Sequence, residues 1–257
     1  MFRKLWRDGG WKGLLALAVL NAAYLIRFKN NYVEYFSAGE RLNVTGYMVM
    51  VLGDKFFLVT MMALTSMYMT SQINRSRLAE TLCYGSRSSR QRRITAAAVT
   101  ACVIYFLLLL CAIASVAALS GFSFGNLHDA VGDTIWLIPD IGSRYTPDML
   151  KLAMTTAGNS LCYTVSASML YLALYGLLQR RSLTWLAEVI LLMCDLGITI
   201  MLLRRLYPLS MLGNAVLNLD YSCLNDGFNW PYWILLNVLL LALTSMRTKG
   251  REFCCDE

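Results

Sequence analysis

Residues 94–119 read ITAAAVTACVIYFLLLLCAIASVAAL, a run of 26 residues without a charged side chain. Coiled as an α-helix at about 1.5 Å per residue, this run is long enough to cross the roughly 30 Å hydrocarbon core of a bilayer. Arg92 and Arg93 stand directly before it, where basic residues commonly flank a span. The sequence therefore predicts a membrane-spanning helix from Ile94 to Leu119.

Five further apolar runs flank this one, and each approaches the length that a spanning helix needs. The uncharged part of the first run is short, so Lys12 and Arg27 must extend toward the interfaces. Asp54 and Lys55 interrupt the second run near its outer end. The six predicted spans are Trp11–Phe28, Tyr47–Ile73, Ile94–Leu119, Leu152–Leu178, Leu183–Leu203 and Trp230–Met246. We expect an all-α membrane protein whose residues 1–257 form a single transmembrane domain.

The composition agrees with a multi-pass integral membrane protein. Of 257 residues, 57% are hydrophobic and 15% are charged, and the mean hydropathy is +0.50. A soluble domain carries about 25% charged residues. The net charge of +7 comes from basic residues that lie between the apolar runs, so membrane topology explains it better than nucleic-acid binding. We expect membrane lipid as a partner and no nucleic acid.

The distribution of basic residues predicts that both termini are cytoplasmic. With the N-terminus inside, the cytoplasmic segments 1–12, 74–93, 179–182 and 247–257 hold 15 of the 23 Lys and Arg residues. The outer side holds nine acidic residues, counting Asp54 at the outer end of the second run, and the cytoplasmic segments hold five. This is the positive-inside asymmetry of a plasma-membrane protein.

Two segments outside the spans have patterns of their own. In residues 1–12, Phe2, Leu5 and Trp6 share one helical face, which predicts a short interfacial helix; a plain basic flank that orients the first span is the alternative. Residues 204–229 begin with two arginines that are unfavourable on the outer side. A re-entrant element explains that segment better than a simple loop.

Two signature motifs of enzymes are missing from the sequence. It contains no GxxxxGK[ST] phosphate loop, and its one histidine, His128, cannot form HExxH. The HxxxxD spacing of His128 and Asp133 is near chance without the apolar context that acyltransferases show. We expect a non-catalytic chain that binds no cofactor itself.

A few polar residues lie inside the predicted spans and are candidates for a substrate path. Glu188 and Asp195 are seven residues apart in the fifth span and so project from one helical face. Intramembrane acids normally face the bundle interior or a wet cavity. Asn159 lies in the fourth span among many small and hydroxyl residues, which serve close helix packing or line the same path. The other interpretation of Glu188 is that it lies within about one turn of the cytoplasmic surface.

The loop between the second and third spans, residues 74–93, is the most informative segment. Its order is a helix-favouring stretch, a turn-like stretch around Gly85, and a second helix that leads into the third span. That is more structure than a connector needs, although a merely basic loop that fixes orientation is the alternative.

This loop resembles the coupling-helix region of ABC-2-type ABC transporter permeases. Those proteins commonly show an acid, then Gly-Thr-Leu, then Ser-Arg about eight residues further on. Glu80-Thr81-Leu82 and Ser89-Arg90 occupy the matching positions here, with Glu80 in place of the usual Gly. The family also has six spans, cytoplasmic termini, an interfacial elbow helix at the start and short re-entrant helices between spans five and six. The resemblance therefore covers nearly the whole chain.

The resemblance implies an ABC-2, type V exporter-like permease that exports a peptide, antibiotic or lipid-like substrate. ATP and Mg²⁺ would bind to separate ABC ATPase subunits, and a second permease chain would complete a homodimer or heterodimer. Arg77, Glu80, Thr81, Leu82, Ser89 and Arg90 would couple the chain to the ATPase. Two alternatives remain open: an ion-coupled carrier or channel that uses Asp195, and a membrane immunity or assembly factor without transport.

Overall fold

The computed structural model describes residues 10–36, 43–74, 87–125, 127–128, 148–200, 206, 209–215 and 229–249. Within this part of the chain the architecture is all-helical, and the one β contact is an isolated bridge between Asn43 and Ser123. The helices are α1 (Gly10–Phe36), α2 (Val44–Gly53), α3 (Phe57–Ile73), α4 (Arg87–Leu119), α5 (Met149–Leu178), α6 (Arg181–Ile200), α7 (Met211–Ala215) and α8 (Trp230–Lys249).

Four of these helices, α1, α4, α5 and α6, are long and apolar enough to cross a membrane. The bent pair α2–α3 raises that number to five if the pair is one span, and α8 carries a shorter apolar stretch. The prediction of an all-helical, multi-pass membrane protein is therefore confirmed.

The second predicted span, Tyr47–Ile73, is divided into α2 and α3 at the interruption by Asp54 and Lys55 that the sequence shows. The chain bends by 83° between α2 and α3, and Asp54 has extended backbone angles (φ −74°, ψ 120°) at the break. Its carboxylate accepts hydrogen bonds from the Phe57 backbone N–H at 2.6 Å and from the Tyr24 hydroxyl of α1 at 2.6 Å. Asp54 thus acts as the N-terminal cap of α3 and joins it to α1.

The turn pattern of α3 changes along its length. Phe57–Ala63 is π-helical and Leu64–Ile73 is α-helical. Thr60, within the π-helical segment, directs its hydroxyl to the Phe56 carbonyl at 2.6 Å. A π-helical segment is uncommon inside an α-helix and often occurs beside functional sites.

Two other helices start or end beyond their predicted limits. The first span was expected to end at Phe28, but α1 continues to Phe36, since no glycine or proline stops it. The third was expected to begin at Ile94, but α4 begins at Arg87 and so includes the end of the basic loop. At about 1.5 Å per residue, the 33 residues of α4 measure about 50 Å, well beyond the roughly 30 Å of hydrocarbon.

Helix α5 is the central element and packs against α2, α3, α4, α6, α7 and α8. Its small and hydroxyl residues make the contacts. The Ser160 hydroxyl donates to the Leu52 carbonyl at 3.0 Å, and Ser168 lies 2.6 Å from the Thr70 hydroxyl and 2.9 Å from the Cys102 sulfur. The packing interpretation of the fourth span is therefore confirmed.

The outward faces of the long helices are apolar. Large hydrophobic side chains are exposed along them, including Val19 and Leu20 of α1, Leu107 and Leu108 of α4, Leu186 and Ile190 of α6, and Leu235 and Leu239 of α8. Polar side chains of α5 instead face the interior of the bundle, where Thr156, Ser160 and Thr164 are buried. A soluble protein shows the opposite distribution, so these surfaces face lipid.

Several predicted segments lie wholly or partly outside the described residues. Of the interfacial segment 1–12, the structure describes Gly10 onward, which already belongs to α1. Of the segment 204–229, it describes Leu206, 209–215 and Asn229.

The Asp54 cap predicts a graded loss of stability. Asp54→Ala removes both acceptor bonds and is expected to lower the free energy of unfolding by about 1 kcal/mol. Asp54→Asn keeps an acceptor oxygen and should cost less, and Tyr24→Phe removes the bond to α1 alone. Thermal unfolding of the three purified variants checks this order; equal melting temperatures for Asp54→Ala and the wild type would contradict it.

Candidate functional site at the α5–α6 interface

Helix α6 buries one face against α5. Thr184, Glu188, Leu192 and Leu196 recur at every fourth position and are buried, while Leu191 and its neighbours on the other side are exposed. Residues four apart lie on one helical face, so the stripe is the packed side of an amphipathic span. The prediction that Glu188 faces the bundle interior is confirmed.

Glu188 is fully buried, with 0% of its surface exposed. Among the described residues, neither carboxyl oxygen has a hydrogen-bond partner. A polar group without a partner in a membrane interior costs several kcal/mol, and a charged one costs more. Glu188 is thus an energetically unfavourable residue that packing alone does not explain.

Two tyrosines of α5 lie near Glu188. The hydroxyls of Tyr163 and Tyr171 are buried and make no hydrogen bond of good geometry, although Ser71 lies beside the second. The Tyr171 ring contacts that of Trp185, one turn before Glu188 on α6, with ring centroids 6.3 Å apart. The α5–α6 interface therefore holds a buried carboxyl and two buried phenols, and neither the carboxyl nor the Tyr163 hydroxyl has a hydrogen-bond partner among the described residues.

Asp195 has a different environment from Glu188. Its carboxylate accepts a hydrogen bond from the backbone N–H of Leu212, in α7, at 2.7 Å. Close by, the hydroxyls of Thr199 and Ser210 are 3.1 Å apart, and Ser210 accepts from the Gly213 N–H at 2.7 Å. Asp195 therefore holds the short helix α7 against α6.

The third candidate for a substrate path, Asn159, lies at another contact. Its side-chain oxygen accepts a hydrogen bond from the indole N–H of Trp233 in α8 at 3.1 Å, and both residues are buried. Two turns further along α5, the Ser166 hydroxyl accepts a hydrogen bond from the Asn237 amide of α8 at 2.9 Å. Asn159 thus joins α5 to α8, and no hydrogen bond links it to Glu188 or Asp195.

The residues expected to couple to an ATPase are described in part. Ser89 and Arg90 lie in the first turns of α4 and are half-buried. Arg77, Glu80, Thr81 and Leu82 lie outside the described residues. The structure therefore attaches one half of the predicted motif directly to a spanning helix.

Sequence reasoning missed two polar contacts, one at the start of α5 and one between α1 and α4. His128 Nδ1 lies 3.0 Å from the carboxylate of Asp148, which caps the N-terminus of α5 by accepting from the Lys151 N–H. Asn21 of α1 accepts from the Tyr105 hydroxyl of α4 at 2.9 Å and donates to the Leu17 carbonyl of its own helix at 2.8 Å. Asp133, the other residue of the HxxxxD spacing with His128, lies outside the described residues. Neither pairing has a local sequence signal.

An apolar groove runs beside Asn21 between α1, α3 and α4. Its volume is about 390 Å³, and small residues such as Ala18 and Ala101 line it. Its polar groups, those of Asn21, Thr65, Thr100 and Tyr105, are few, and Thr100 bonds to its own helix. The groove has no charged residue in its lining.

The described residues contain no group of His, Cys, Asp and Glu side chains suited to a metal ion. Comparisons with protein-family models, with curated proteins and with solved structures gave no match. The function of this chain is therefore inferred from its own residues.

The hydrogen bond between the Asp195 carboxylate and the Leu212 N–H predicts that Asp195 stabilises the fold. Asp195→Leu leaves the Leu212 N–H without a partner and should destabilise the fold by about 1–3 kcal/mol, whereas Asp195→Asn keeps an acceptor and should cost less. Unfolding midpoints of the two variants measure this difference. A fully stable Asp195→Leu protein would contradict the anchoring role.

Asp148 predicts a pH-dependent contribution to stability. The Lys151 N–H and then His128 hold the pKa of this carboxyl below its ordinary value of 3.8. Because the folded state favours the ionised form, the contribution is present above the ordinary pKa and is lost as the pH falls through the lowered one. Melting temperatures of the wild type and Asp148→Asn should therefore differ at neutral pH and converge in acid. A constant difference at all pH values would contradict this assignment.

Proposed function

We propose that this chain is the permease subunit of an ABC-2-type ABC transporter, powered by ATPase subunits on separate chains. The observation that carries the proposal is the continuity of α4, which begins at Arg87 in the basic loop and runs to Leu119. A partner that grips Ser89 and Arg90 holds one end of a rigid rod that crosses the bilayer. ATP-driven movement of that partner would tilt the rod and change access across the membrane.

The arrangement of the other helices supports the same proposal. Counting the bent pair α2–α3 and α8 with the four long helices gives six crossings, the number expected for this family. The short helix α7 follows α6 and packs against α5 and α6. This is the position in which the resemblance implies a re-entrant element.

The expected topology agrees with the length of α4. Ile94–Leu119 fills the hydrocarbon, and the first two turns, which carry four arginines, extend beyond it. With both termini in the cytoplasm, these turns lie on the inner side, where an ATPase is found. Cargo of peptide, antibiotic or lipid type, and export as the direction, follow from the resemblance alone.

The ion-coupled alternative loses its main residue. It assigned transport to Asp195, but that carboxylate bonds to the backbone of α7 at 2.7 Å. An immunity or assembly factor without transport has no contact in its favour. Export driven by a partner's ATP hydrolysis therefore has the stronger support.

The test is co-purification with a P-loop ATPase encoded beside this chain. Glu80→Arg combined with Arg90→Glu should reduce its binding by about tenfold or more, because reversing a charge in an interface costs about 1.4 kcal/mol or more. Arg180→Glu repeats the Arg90→Glu charge reversal at an exposed position of the link between α5 and α6 and serves as the control. Unchanged association and ATPase stimulation in the double variant would refute the proposal.

A second pair of variants tests transmission along α4 rather than binding. Arg92 is exposed in the second turn of α4, so Arg92→Pro should break the helix between the gripped end and the span, while Arg92→Ala should leave it intact. We expect Arg92→Pro to retain the ATPase but lose substrate-stimulated hydrolysis and transport in vesicles. Normal coupling in Arg92→Pro would contradict the rod mechanism even if the ATPase binds.

A further inference from the structure

Glu188 has a feature that the proposed function does not use: a fully buried carboxyl, inside a spanning helix, without a hydrogen bond or an opposite charge. At about 1.5 Å per residue it lies about 10 Å from the Arg181 end of α6, beyond the reach of interfacial water when α5 and α6 are packed.

The ionisable groups around Glu188 do not stabilise a negative charge there. On α5 the buried tyrosines are Tyr163 and Tyr171, and both are neutral phenols at physiological pH. On α6 itself the nearest charged residues along the helix are Arg181 and Asp195, seven positions away on either side. The described residues of α7 and of the π-helical segment of α3, which also pack against α6, include no ionisable side chain.

An ionised Glu188 in this environment would carry an uncompensated charge, which proteins avoid by keeping the group neutral. A neutral carboxylic acid needs only a proton, which requires no cavity. Buried acids of this kind in membranes commonly serve proton transfer. The buried hydroxyls of Tyr163 and Tyr171, on the helix that packs against α6, provide hydrogen-bonding groups for water that enters when the interface opens.

The geometry points to Glu188 as a proton-binding site that is filled while α5 and α6 are packed together and emptied when that interface opens. In the packed arrangement the side chain is the neutral acid. When α6 moves away from α5, water reaches the carboxyl, the O–H bond breaks, and the proton passes to water and leaves a hydrated carboxylate. Closing the interface requires the reverse step, so a change in packing and the uptake of one proton occur together.

This inference is independent of the proposed function. It concerns one interface within this chain and holds with or without an ATPase partner. If the ATPase experiments fail and Glu188 is neutral, the chain remains a candidate proton-linked carrier. If Glu188 is ionised, the permease proposal is unaffected.

Infrared spectroscopy of the full chain in lipid nanodiscs tests the protonation state directly. At about pH 8 the ordinary Glu and Asp side chains are ionised, so a protonated-carboxyl band comes from a buried neutral acid. We expect one such band in the wild type, shifted by ¹³C labelling of glutamate and absent from Glu188→Gln. Asp148→Asn makes the same carboxyl-to-amide change at an exposed position and should leave the band unchanged.

The wild-type measurement alone decides the question if Glu188→Gln fails to fold. A glutamate band at about pH 8 supports the site, since the other five glutamates lie outside the predicted spans. Its absence, which an ionised Glu188 bound to a metal or amine cation would also produce, overturns the proposal.

Proton linkage supplies the second readout. Because the packed state holds a proton that the opened state releases, the equilibrium should shift toward opening by about tenfold per pH unit above the ordinary range of glutamate. Packing is then strongest at low pH and weakens as the pH rises. Hydrogen–deuterium exchange of α6 between about pH 6 and about pH 9, corrected for the intrinsic pH effect, should show this trend in the wild type and not in Glu188→Gln. Identical trends in both proteins would overturn the linkage.

Discussion

The need to satisfy polar groups without water governs this structure. In a bilayer, each backbone and side-chain polar group must find its partner within the protein. Helix α5 meets that need: the hydroxyls of Ser160, Ser166 and Ser168 bond to α2, α8 and α3 in turn. Their small size also allows the neighbouring helices to approach closely. The rest of the bundle is therefore arranged around α5, with leucine-rich faces turned to lipid.

Against this background, two kinds of interior acid are distinct. Asp54 and Asp195 each accept a backbone N–H at the start of a helix, at 2.6 Å and 2.7 Å, and each joins two helices. Both are explained by structure. Glu188 makes no such bond, although it is the more deeply buried. Two of the three acids, Asp54 and Asp195, therefore hold helices together, whereas no structural role explains the burial of Glu188. A residue without a structural role is where function is best sought.

Movement and chemistry lie at different places in the chain. The continuous helix α4 connects the basic loop to the far side of the bilayer, which suits transmission of a mechanical input. The α5–α6 interface holds the buried carboxyl and the two tyrosine hydroxyls, which suits a reversible change in packing. Helix α7, anchored by Asp195, is short and packs against both of these helices.

The amino-acid sequence by itself determined the class of protein, since uncharged runs such as Ile94–Leu119 have no stable conformation in a bilayer other than a helix. It also determined the inward direction of Glu188, because helical periodicity decides which side chains share a face. Only the tertiary structure decided that the second span bends by 83° at Asp54, that Asp54 joins α3 to α1, and that Asp195 holds α7 while Glu188 has no partner among the described residues. Those outcomes depend on hydrogen bonds between residues far apart in the chain, and no local pattern specifies which distant group will meet them.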